Sequence, residues 1–76
     1  MGKTYRIDGQ PVIVTWIYRH HPTVYTICVA GTPTAGTVEK TALGRYRAVD
    51  RHRRPLGTCQ GLQEAVARVV RAEERR

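Results

Sequence analysis

The stretch Gly61-Leu62-Gln63-Glu64-Ala65-Val66-Ala67-Arg68-Val69-Val70-Arg71-Ala72-Glu73-Glu74 decides the fold of this chain. Leu62, Ala65, Val66, Val69 and Val70 recur at the i, i+3, i+4, i+7, i+8 spacing that lines one side of a helix. Gly61 can serve as the N-cap, and Glu64, three residues later, stands where a capping-box carboxylate reaches back to free amides. The spacing predicts a helix over 61–74. Its apolar side needs a sheet to bury it.

Residues just upstream supply one. Over 45–51, Tyr46 and Ala48 point one way while Arg45, Arg47 and Arg51 point the other, because strand side chains alternate. If the helix covers the Tyr46 side, the arginines line the opposite side. A basic turn, Arg51-His52-Arg53-Arg54-Pro55, leads into a short strand over 56–59, where Leu56 and Cys59 help to seal the core. Further upstream, 31–44 is a 14-residue stretch of glycine, proline and threonine, longer than most connections in compact domains and read as a mobile loop. Its Gly31-Thr32-Pro33-Thr34-Ala35-Gly36-Thr37 has the glycine spacing of a phosphate-cradling loop, but Thr37 stands where that loop needs a lysine.

The first thirty residues read as three strands. Over 23–30 the residues are rich in β-branched types, with Tyr25, Ile27 and Val29 on one side and Val24, Thr26 and Cys28 on the other. Over 11–19, Val12, Val14, Trp16 and Tyr18 oppose Ile13 and Ile17, so both sides are apolar. A first strand over 3–8 closes at Asp8-Gly9, a dipeptide suited to the positive φ angles of a tight hairpin. The expected fold is α+β, one domain over 1–76, in which a small antiparallel sheet of four or five strands packs against one C-terminal helix.

One helix covers one side of a sheet. The apolar second side therefore predicts a homodimer or a protein partner, with Ile13, Trp16, Ile17 and Tyr25 as candidate interface residues. Trp16, Tyr18 and Tyr25 supply the large apolar volumes in a chain without phenylalanine, which favours packing over base stacking as their role.

Charge narrows the partner. Thirteen basic against six acidic residues give +7, and 11 of the 13 are arginine, whose planar fork suits phosphates and guanine edges. A sequence pI near 10.3 is the electrostatic footprint of a nucleic-acid-binding domain. On the helix, Glu64 and Arg68 stand at i, i+4 as an ion-pair spacing, and Arg71 and Arg75 lie where the C-terminal dipole favours cations, so no function is read from Arg68, Arg71, Arg75 or Arg76 alone.

Several chemistries are not expected. Cys28, Cys59, His20, His21 and His52 lack the close spacing that presents paired metal ligands. No two of the six carboxylates form an acid/base pair beside a cleft, so neither catalysis nor a cofactor is read here. Two cysteines outside any spaced framework point to a reduced, cytoplasmic chain, and no apolar run reaches the ~18 residues of a membrane span.

The segment Tyr46-Arg47-Ala48-Val49-Asp50, the basic turn, Leu56-Gly57-Thr58-Cys59 and the start of the helix together resemble the end of the amino-terminal arm-binding domain of phage integrases. They are similar also to the plant ethylene-response type of DNA-binding domain. The resemblance covers under half of the chain. It implies a three-stranded antiparallel sheet backed by one helix, with the uncovered side in the major groove of DNA. Contact would then run through Arg45, Arg47, Arg51, Arg53 and Arg54. The arginine-rich whole also resembles small proteins of phages that infect actinobacteria, some of which bind DNA and some of which inhibit host proteins. Two functions follow as expectations: a non-catalytic DNA-binding protein, or a module that docks on a host or self protein through its apolar sheet.

Overall fold

In the computed structural model, residues 1–17, 23–29 and 34–75 are described. Six strands, β1 (Gly2–Ile7), β2 (Gln10–Thr15), β3 (Val24–Val29), β4 (Gly36–Lys40), β5 (Tyr46–Asp50) and β6 (Pro55–Cys59), precede one helix, α1 (Leu62–Glu74). Each strand pairs antiparallel with its neighbours in sequence, giving one sheet in the order β1-β2-β3-β4-β5-β6. The α+β fold and the C-terminal helix are as the sequence implies.

Alternation decides which side of the sheet is covered. Tyr5, Val12 and Val29 share a row across β1–β3. Val14, Ile27, Gly36 and Asp50 share the next across β2–β5, and Tyr25, Val38 and Ala48 a third across β3–β5. Against these rows α1 sets Ala65, Val66, Val69 and Val70, all fully buried, with Leu62 packed beside them. Gly61 is the N-cap in extended conformation, and its carbonyl accepts the first-turn bond from the Ala65 amide at 3.2 Å. The largest fully buried side chains are Ile27 and six valines, so the core offers small apolar payloads and little stability to spare.

Polar contacts lash the helix to both edges of the sheet. Arg71 donates to the Asp8 carboxylate at 3.2 Å in the β1–β2 turn, and Gln10 Nε2 donates to Glu74 at 2.9 Å. At the far edge Arg68 Nη1 donates to the carbonyl of Leu56 at 3.0 Å. The i, i+4 spacing of Glu64 and Arg68 had offered a different partner for that guanidinium. The Asp8-Gly9 turn has φ of 51° and 81°, the pair of positive values that a two-residue hairpin requires.

The reading of 31–44 as a mobile loop is corrected. Gly36–Lys40 is an ordered strand between β3 and β5, with Thr26 opposite Thr37 and Val38 opposite Ala48. Its only large apolar residue is Val38, and Glu39 and Lys40 disfavour strands, so pairing on both sides overrode local preference. The strand expected over 11–19 ends at Thr15. Tyr18, Arg19, His20, His21 and the part of the glycine-rich motif at 31–33 lie outside the described residues.

Cys59 is buried, and burial pushes its thiol above the ordinary cysteine range, whereas Cys28 is half-buried on the uncovered side. Iodoacetamide at mildly alkaline pH is therefore expected to alkylate Cys28 well before Cys59. Peptide mapping over time reads this, and equal rates would mean that β6 opens freely from the helix.

Candidate nucleic-acid interface

The uncovered side of the sheet is not the arginine stripe that the sequence implied. Thr15, Thr26, Thr37 and Val49 stand side by side across β2–β5, flanked by the rows Thr4, Ile13, Cys28 and Val24, Glu39, Arg47, Thr58. Only Arg47 projects there from β5, and it pairs with Glu39 directly across the ladder at 3.3 Å. Arg45 and Arg51 lie just beyond the two ends of Tyr46–Asp50, about 20 Å of extended chain apart. Alternation had placed both on the strand. The strand is too short to hold them.

The basic residues concentrate instead in the turn between β5 and β6. Asp50 is buried at its base, and its Oδ1 accepts from the backbone amides of His52 and Arg54, both at 2.8 Å. The Arg53 amide donates to the Asp50 carbonyl and the Asp50 amide to the Arg54 carbonyl, each at 3.0 Å. Those bonds close a three-residue hairpin loop of 51–53, whose last residue must take a left-handed conformation, the place for glycine. Arg53 occupies it, with φ of 64°. A side chain there costs about 1 kcal/mol against glycine.

One groove of about 550 Å³ opens on the uncovered side of this turn, and Arg47, Arg51 and Arg53 line it with Thr34, Thr37 and Glu39. Of the expected set, the structure thus brings Arg47, Arg51 and Arg53 together and leaves Arg45 at the other end of the strand. Arg51 also reaches Glu73 on the helix at 3.2 Å, which ties the turn to α1. Arg45, Arg53 and Arg54 pair with no carboxylate among the described residues.

The candidate protein-interface residues separate as well. Ile13 is 51% exposed on the uncovered side and Ile17, past the end of β2, is 72% exposed. Trp16 and Tyr25 pack against the core, with ring centroids 5.3 Å apart, and Tyr25 continues to Tyr46 at 6.2 Å. Burial pushes the Tyr25 hydroxyl above its usual range, with Tyr46 adding to the effect. These rings serve packing.

Among the described residues no three His, Cys, Asp or Glu side chains gather as a metal would require, and no helix is long and apolar enough to cross a membrane. Comparison with known proteins found no matching family model, curated protein or solved structure.

Proposed function

We propose that this protein is a small, non-catalytic DNA-binding protein whose β5–β6 turn contacts the phosphate backbone. The carrying observation is Arg53. A hairpin position built for glycine holds instead an arginine that pairs with no carboxylate among the described residues, inside a turn that a buried Asp50 keeps rigid. Flanking it are Arg51 and Arg54, and Arg47 lines the same groove, so several fixed charges meet a polyanion with little ordering required. The net charge of +7 attracts DNA at long range.

Retention on nonspecific duplex at about 100 mM salt tests the proposal, with a log–log salt slope of roughly −0.9 per phosphate contact. Arg53→Gly separates function from folding. It is expected to raise stability by about 0.5 to 1 kcal/mol through relief of the left-handed side chain, and to flatten the slope by about one unit. A thermal shift without loss of binding would leave the arginine with no role in DNA contact.

A second reading is favoured by Ile13, which is half-exposed on the side of the sheet away from the helix, beside Thr4 and Cys28. In that reading a second copy of the chain, or a host protein, docks there and the arginines only keep the protein soluble. Sedimentation equilibrium at micromolar concentration discriminates, because self-association weakened by Ile13→Lys supports docking of a second copy.

A further inference from the structure

We propose that the phosphate-contacting surface continues past the turn into the groove between β6 and α1, and that Arg68, Arg71 and Arg75 hold the DNA backbone there. The inference rests on the DNA-binding reading and assigns the track that the duplex follows. A groove of about 300 Å³ runs between the outer edge of the sheet and the helix, lined by Leu56, Arg68, Arg71, Ala72 and Arg75. Three of its five residues are arginine and none is acidic.

The helix dipole does not account for all three. Its influence is confined to the last turn, where Arg71 and Arg75 stand, and α1 extends to Glu74. Arg68 lies nearly two turns from that end. It is fixed in place twice over: Nη1 donates to the Leu56 carbonyl at 3.0 Å, and the guanidinium crosses Gly57, where a Cβ would come within 2.6 Å of Nη1. Gly57 has φ of 108° at an irregularity in the β5–β6 pairing, so backbone shape and absent side chain together make room for Arg68. Arginine carries five N–H donors, and Arg68 remains exposed, so one backbone bond leaves most of its donor capacity for a ligand.

Spacing suits a polyanion. Positions 68, 71 and 75 follow i, i+3, i+7, a row of about 10 Å along the helix axis, comparable to the span of four successive phosphates of one strand at about 3.4 Å of axial rise per step. Arg71 shares its charge with Asp8, while Arg75 pairs with no carboxylate among the described residues. Arg54 and Pro55 lead directly from the turn to Leu56 at the groove, so the two basic surfaces are continuous along the chain. The other route, across the uncovered sheet, meets a row of threonines once it is past Arg47. Strand addition at this edge is also blocked, since Pro55 has no amide hydrogen and the Leu56 carbonyl is occupied.

The test is fluorescence anisotropy of a labelled nonspecific duplex across a salt series, with the full chain and three charge deletions. Arg75→Gln and Arg68→Gln should each flatten the log–log slope by about 0.9 and weaken binding several-fold at moderate salt. Arg45→Gln, at the far end of β5, should leave the slope as it is. Circular dichroism melts keep the Arg68 result separate from unfolding, and Arg75, which is exposed, carries the test if Arg68→Gln destabilises. If Arg53→Gly flattens the slope but Arg75→Gln does not, the turn binds DNA and the helix groove does not. That outcome overturns this inference alone. Failure of the parent protein to bind the duplex, or its preference for polyglutamate over the duplex, overturns the DNA reading together with it.

Discussion

Val66→Asp is expected to abolish the cooperative thermal transition of this protein. Val66 is fully buried in the middle of the helix stripe, between the buried Ala65 and Ala67 and one turn from Val69 and Val70. A carboxylate there would lose its hydration and find an all-apolar surround, a change worth several kcal/mol before any repacking. The protein has little to set against that. A domain of this size is held by about 5 kcal/mol in total, and its core is mostly valine, with no phenylalanine to add burial. Scanning calorimetry decides the matter, and a transition near the parent's would mean that the stripe does not face the sheet. Val66→Ala is the graded companion, since removing two methyl groups from a site this closed should cost about 1 to 3 kcal/mol and leave a folded protein.

What could be read from the sequence follows from periodicity. The helix showed itself because five apolar residues kept strict spacing, and β5 because Tyr46 and Ala48 alternate with Arg47. Periodicity also misplaced two of the arginines. It assigned Arg45 and Arg51 to a strand side, but strand ends are set by pairing, and pairing with β4 runs only from Tyr46 to Asp50. β4 itself stayed hidden, since its buried positions are a glycine and one valine and nothing local marks Gly36 as a strand residue. The turn was legible only as charge. That Asp50 would fold back on the amides of His52 and Arg54, and that Arg53 would take the glycine position of a three-residue loop, needed the β5–β6 register. A pattern was nonetheless present: Asp at the base of a hairpin, then a residue three places on where glycine is favoured. The helix arginines were set aside because the Glu64 spacing accounted for Arg68 and the dipole for Arg71 and Arg75, and only the Leu56 carbonyl and Gly57 beneath Arg68 distinguish them from solvated charge.

Gly36→Ala is expected to destabilise the fold by about 1 to 3 kcal/mol, a fall in midpoint of roughly 5 to 20 °C for a domain of this length. Glycine in a strand ordinarily weakens it, so its presence at the centre of a sheet calls for a reason. Here the reason is space. A Cβ on Gly36 would lie 2.4 Å from the Val49 carbonyl oxygen, 2.8 Å from Val69 Cγ1 and 3.2 Å from the Asp50 Cα. Two of those three atoms belong to the backbone of β5, which cannot swing aside as a side-chain tip can, and the third belongs to the helix. An added methyl must therefore push β4 from β5 or lift α1 at Val69. Either movement reaches Asp50, which pairs with Gly36 across the ladder and holds the arginine turn. If the turn contacts DNA as proposed, the substitution should weaken that contact along with stability, although Gly36 is buried and contributes no charge. Gly61→Ser is the matched comparison, since a Cβ there meets nothing within 4 Å and serine is a good N-cap, so that variant should melt at or slightly above the parent. If Gly36→Ala melts with it, β4 does not carry the helix in the way described, and the mobile-loop reading of this stretch returns.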